Sequence, residues 1–138
     1  MSQISRRALA LMAATAAVGG AAEPNRQRPA AVELWARTEL YFGTSRPGGE
    51  VSEEEFTRFL DSVVTPLFPD GLTLLTGYGQ FLGSNNVLIK ERSKVLILFY
   101  PMRTPEAHRS IQEIRQRYKD IFHQESVLRV DSVTLLSF

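Results

Sequence analysis

The chain has 138 residues, 43% of them hydrophobic and 22% charged, with a formal net charge of +1 and no cysteine. That length suits one domain, and the ordinary apolar and charged content excludes wholesale disorder and a membrane bundle. The missing cysteine excludes disulfides, thiolate metal sites, iron–sulfur clusters, a cysteine nucleophile and a lipid-bearing cysteine.

Residues 1–22 read as an export signal. Arg6 and Arg7 form a basic start, Ala8 to Val18 a mildly apolar run, and Gly20 and Ala22 supply small residues for cleavage after Ala22. The uncharged stretch from Ala8 to Ala22 has 15 residues, short of the roughly 20 a spanning helix needs. Ser5-Arg6-Arg7-Ala8-Leu9 resembles a twin-arginine signal without the lysine that often follows, and general secretion is the other route. A periplasmic or secreted product is implied, with no membrane span after cleavage. Taking Arg6 and Arg7 from 16 basic residues leaves 14 against 15 acidic ones, a net charge of −1. No basic field remains to attract nucleic acid or anionic lipid.

Residues 23–30, with Pro24 and Pro29 among polar neighbours, form a flexible leader, and residues 31–138 a single domain without internal repeats. Val32 to Phe42 alternates as a strand: Leu34, Ala36, Thr38, Leu40 and Phe42 face one way, and Trp35, Arg37, Glu39 and Tyr41 the other. After a Pro-Gly-Gly loop, Ser52 and Glu55 spell a capping box. Phe56, Phe59, Leu60, Val63, Val64 and Leu67 then recur at helical spacing. Pro66 predicts the end of that helix, because the residue before a proline leaves the helical region.

Leu72 to Leu82 is a second strand whose Gly77 and Gly79 predict a bulge or an edge position. Val87 to Tyr100 returns, kinked near Arg92-Ser93, and ends in a run apolar on both faces, as an interior strand does. Thr104 caps a second helix with Pro105 in its first turn; Ala107, Ile111, Ile114, Tyr118, Ile121 and Phe122 line its buried side. Val127 to Phe138 closes the chain as a charged edge strand. The order βαββαβ predicts an α+β, ferredoxin-like fold: a four-stranded antiparallel sheet, strand order four-one-three-two, with both helices on one face.

The other face of that sheet is where a function belongs. Strand one sends Trp35, Arg37, Glu39 and Tyr41 onto it, and an apolar patch with charges embedded marks a partner surface or ligand groove. Arg37 and Glu39 also fit the plain wet half of an amphipathic strand. His108 and His123 share no metal-ligand spacing, so no metal is expected. Gly77-Tyr78-Gly79-Gln80 opens no helix and is not a phosphate loop, and no Gly-x-Ser-x-Gly elbow occurs. No cofactor motif is present.

Trp35-Ala36-Arg37-Thr38-Glu39-Leu40-Tyr41-Phe42-Gly43 and Val64-Thr65-Pro66-Leu67-Phe68-Pro69-Asp70-Gly71-Leu72-Thr73 are joined by Gly79-Gln80-Phe81, by Glu91-Arg92-Ser93-Lys94-Val95-Leu96 and by Gln124-Glu125-Ser126-Val127-Leu128-Arg129-Val130. Together they resemble a small bacterial exported family, domain of unknown function 3574. Phe81 stands where that family leads one to expect tryptophan. Many of its members look like lipoproteins; without cysteine, a soluble periplasmic product is implied here. The resemblance adds Gln80, Glu91 and Arg129 to Trp35, Arg37, Glu39 and Tyr41 as binding-face candidates, and implies no chemistry.

Two functions compete. The favoured expectation is a non-catalytic periplasmic module whose open face binds a small ligand or pairs into a homodimer. The alternative is a cofactor-free enzyme built like the dimeric α+β barrels, with Glu39 or Glu91 as general base and Arg37 holding a substrate anion.

Overall fold

The computed structural model of the chain describes residues 31–138; the export signal at 1–22 and the leader at 23–30 lie outside the described residues. Strand β1 (Glu33–Gly43) keeps the predicted alternation, with Thr38, Leu40 and Phe42 fully buried and Tyr41 exposed. The loop after it closes into a small ribbon, β2 (Ser45–Arg46) against β3 (Gly49–Glu50), around Gly48 at φ 80°, a conformation glycine adopts without strain.

Helix α1 (Glu53–Phe59) starts on the reciprocal box: Glu55 N–H donates to Ser52 Oγ at 3.1 Å and Ser52 N–H to the Glu55 carboxylate at 3.3 Å. It runs on through a π-helical turn (Leu60–Val64) into a last α-turn (Thr65–Leu67). Pro66 therefore does not stop it. In the π-turn Thr65 N–H reaches back to Leu60 O, which adds a residue to the turn. Pro66 then falls at the start of the resumed turn, where a missing N–H costs little.

Strands β4 (Thr73–Leu82) and β5 (Leu88–Pro101) form a long hairpin. Their register is unbroken from Thr73↔Ile97 to Leu82↔Leu88, so of the two readings of Gly77 and Gly79 the bulge falls and the edge position holds. Helix α2 (Pro105–Phe122) buries Ala107, Ile111, Ile114, Tyr118 and Phe122, whereas Ile121 looks into the groove between the helices and stays half exposed. Thr104 stands at the cap position, yet its hydroxyl donates to Pro101 O at 2.6 Å rather than capping an N–H. The helix ends on His123 in the left-handed region, φ 55°. Strand β6 (Leu128–Leu136) then pairs with β1.

The sheet order is β4-β5-β1-β6, antiparallel throughout, so the predicted α+β fold and its strand order hold. Phe42 meets Phe56 and Phe59 of α1 and Tyr118 of α2 edge-on, with ring centroids 5.5, 6.2 and 4.6 Å away. Both helices thus cover one face. Each such buried side chain contributes about 1.5–3 kcal/mol of transfer free energy. Tyr118 donates to Gly43 O at 2.7 Å, and burial pushes its phenol far above the ordinary range. Lys94 is buried on the same side; it donates to Glu53 Oε2 at 2.7 Å and Thr76 Oγ1 at 2.8 Å and lies over the Phe56 ring.

Candidate functional site

The residues of β1 and β5 with odd numbers point away from the helices. Partner register carries the same face onto the odd residues of β4 and the even residues of β6. Nothing among the described residues covers its middle: Leu75 and Phe81 are each 50% exposed, and Tyr41, Phe99, Leu128 and Val130 are also open.

One cluster lies along β1. Arg37 donates to Glu39 Oε1 from Nη2 at 2.7 Å and from Nε at 3.1 Å, and Tyr41 donates its phenolic proton to Glu39 Oε2 at 2.6 Å. The guanidinium of Arg37 also stands over Phe99, its cross-strand neighbour, 5.7 Å from the ring centroid. The Tyr41 bond, with Arg37 next, holds the Glu39 carboxyl below its usual range; Glu39 in turn raises the Tyr41 phenol. Both Glu39 oxygens are occupied by donors. It is a poor base.

Glu91 differs in every respect. Its cross-strand neighbour on β4 is Gly79, and its carboxylate lies over Gly43, where a Cβ would sit 2.9 Å from Oε1. The one hydrogen-bond donor to that carboxylate is the backbone N–H of Ser45, at 3.0 Å to Oε2, and no cation among the described residues pairs with it. Ser93, two residues along the same strand, stands between Gly43 and Gly77. Three glycines therefore strip side chains from around one carboxylate and one hydroxyl. The result is a trough of bare backbone across the sheet, with Tyr41, Val95 and Leu75 as one ridge and Ile89 and Phe81 as the other. The ridges are six residues apart along both strands, Val95 to Ile89 and Leu75 to Phe81, roughly 20 Å, room for a flat ring.

The seven candidates do not form one site. Arg37 pairs with Phe99, eight residues from Glu91 on β5, about 26 Å along the strand, so Arg37 cannot hold a small anion that Glu91 works on. Trp35 is on the open face at the far end of β1, with Nε1 donating to Glu33 at 2.8 Å and its ring edge-on to Phe138. Gln80 and Arg129 are corrected: they lie on the helix side. Without a bulge, Gln80 keeps the parity of Leu74, and Arg129 opposes Leu40, donates to Asp131 Oδ1 at 3.0 Å and reaches His108 Nδ1 at 3.0 Å. The sequence reading missed Gly43, Gly77, Gly79 and Ser93 as a set. Their signal was present in the register, since glycines two apart opposite a Glu-x-Ser pair bare the same face. Among the described residues no group of three His, Asp or Glu side chains is placed to hold a metal ion, and no helix is long and apolar enough to cross a membrane.

A one-sided α+β sheet with a carboxylate trough on its bare face is the class these features define. The chain belongs to the family described as "Protein of unknown function (DUF3574)", whose model matches residues 37–138. No curated protein matches the sequence. Among solved structures, a phage SAM lyase in complex with S-methyl-5'-thioadenosine is similar at a TM-score of 0.55 and 13% identity, covering 75% of this chain and 90% of that one. The same kind of enzyme, a phage SAM lyase in its apo state, is similar at a TM-score of 0.54 and 15% identity, covering 81% and 94%. At that identity the likeness is one of fold. These neighbours overturn the expectation of a non-catalytic module, because nine-tenths or more of a solved enzyme chain shares this fold. The enzyme alternative fits better.

Proposed function

We propose that the chain is a small lyase-type enzyme that works in the trough, with Glu91 as its base and a flat, cationic substrate of the sulfonium class. The observation that carries this reading is the Glu91 carboxylate, set on bare backbone between Gly43 and Gly79 with, among the described residues, one N–H donor and no opposing cation. An unneutralised carboxylate in an apolar-walled trough attracts a cation and leaves a lone pair free for a proton. Fold similarity to an enzyme solved with a thioether nucleoside supports the substrate class.

The step needs no outside oxidant or reductant. Glu91 takes a proton from the carbon next to the one that bears sulfur; the C–H pair becomes a C=C bond, and the C–S pair departs on sulfur as a neutral thioether. The positive charge of the sulfonium leaves as the proton now on Glu91, which passes it to water. Ser93 lies beside Glu91 to orient the substrate by a hydrogen bond. We also propose that the enzyme acts outside the cytoplasm, a reading supported by Arg6-Arg7 and the uncharged run that follows them.

The test is incubation of the purified protein with SAM, following S-methyl-5'-thioadenosine by chromatography. Product is expected from the wild type, and Glu91→Gln is expected to lower kcat/KM by about 10²–10⁴-fold with an unchanged melting temperature. A wild-type protein that binds SAM but releases no thioether removes the lyase reading, and full activity in Glu91→Gln removes the base.

A further inference from the structure

We infer that the chain assembles head to tail with further copies of itself, the projecting tip of the β4–β5 hairpin in one copy seating on the β1–β6 end of the next. β1 ends at Gly43, opposite Ser93, and from there β4 and β5 run on as a ribbon of two strands to the Leu82↔Leu88 pair. Two strands alone are marginal in water, more so when both their faces are apolar. The trough side of this ribbon carries Phe81 and Ile89. Its helix side carries Tyr78, 88% exposed, with Leu82 and Leu88 beyond the reach of either helix.

A matching patch lies on the same side of the sheet at the opposite end and the opposite edge. Leu34 on β1 faces Leu135 on β6, with Val133 opposite Ala36 beside them; Leu34, Val133 and Leu135 are 58–67% exposed. Each patch offers roughly 300–500 Å² of apolar surface, close to the non-polar share of the ~800 Å² per partner that a standard interface buries. Since tip and tail are different surfaces, the contact is heterologous, and each copy keeps one tip and one tail for further copies. It also leaves the trough open to substrate, which pairing through the open face does not.

Complementation tests this. Tip variant Tyr78→Ser/Leu82→Ser and tail variant Val133→Ser/Leu135→Ser change only exposed side chains, with Leu34→Ser as a second tail variant on the neighbouring strand. By light scattering after gel filtration, the wild type is expected as a multimer and each variant as a monomer with a wild-type melting curve. A tip variant mixed with a tail variant retains one intact contact and is expected to give a one-to-one dimer. A monomeric wild type, variants that keep the wild-type mass, or a mixture that stays monomeric each overturns the inference. The outcome is independent of whether Glu91→Gln is active.

Discussion

Tyr41 and Glu39, two residues apart on β1, share one proton donor and one acceptor across 2.6 Å on the uncovered face of the sheet. Strand geometry makes this possible, because alternate residues project side by side about 7 Å apart along the strand. The bond fixes Glu39 as an anion and Tyr41 as a neutral phenol. Glu39 is expected to titrate below the ordinary glutamate range in the wild type and to move upward both in Tyr41→Phe and in Arg37→Gln. Carboxyl-carbon NMR across acid pH reads both. An unmoved Glu39 resonance in Tyr41→Phe refutes the pairing.

Gly43 lets the Glu91 carboxylate lie flat. A Cβ there stands 2.9 Å from Oε1, at the far end of a side chain free to swing. Gly43→Ala is therefore expected to cost less than about 1 kcal/mol of stability while lowering SAM turnover at least tenfold. Urea denaturation and turnover are the paired measurements, and equal loss in both contradicts the assignment.

Acid is expected to loosen the start of α1. Glu53 and Glu55 both have lowered pKa values, Glu53 chiefly through the hydrogen bond from Lys94 and Glu55 chiefly through that from Arg46. A folded pKa below the unfolded value of 4.5 means the stabilisation is complete above pH 4.5 and is lost as pH falls through the folded values. Melting temperatures are expected to fall below that point, and Glu53→Gln is expected to flatten the fall while lowering stability at neutral pH. Glu54→Gln, on the exposed side, serves as the control with little change.

His123 ends α2 at φ 55° and ψ 45°, where a side chain with a Cβ is strained. His123→Gly is expected to raise stability by about 0.5–1 kcal/mol after the extra freedom of glycine in the unfolded chain is subtracted. Chemical denaturation checks the sign, and a loss of stability shows that the His123 side chain contributes more than its backbone costs.

Export predicts a defined mature end. Mass spectrometry of the protein recovered outside the cytoplasm is expected to find Glu23 as the first residue. A cytoplasmic product that starts at Met1 rules the export reading out.

Most of the fold was readable because each element carried its own local cause. Ser52 with Glu55 wrote the helix start, and the strict alternation from Leu34 to Phe42 wrote both the central strand and its two faces. What was not readable depended on partners distant in sequence. Pro66 looks like a terminator until a π-turn precedes it, and no composition rule announces π-turns. Gly77 and Gly79 read equally as a bulge or an edge; only the neighbouring strand decides, and the choice moved Gln80 off the open face. Arg37, Glu39 and Glu91 all fell on the expected face, but strand offset along the sheet, invisible in one dimension, set Arg37 and Glu91 far apart. The trough itself is defined by missing side chains on the two strands that flank β5, a pattern that appears only once register is known.

A floor made of peptide groups whose hydrogen bonds are already spent in the ladder offers a ligand shape but little chemical discrimination. Selectivity must then reside in the ridges, where Leu75, Val95, Ile89 and Phe81 flank Glu91. These four project away from the aromatic cluster around Phe42, so exchanging them leaves the side of the sheet that folds the protein undisturbed. Relatives with the same fold are thus free to diversify what they accept by altering a few odd-numbered strand positions, at small risk to folding.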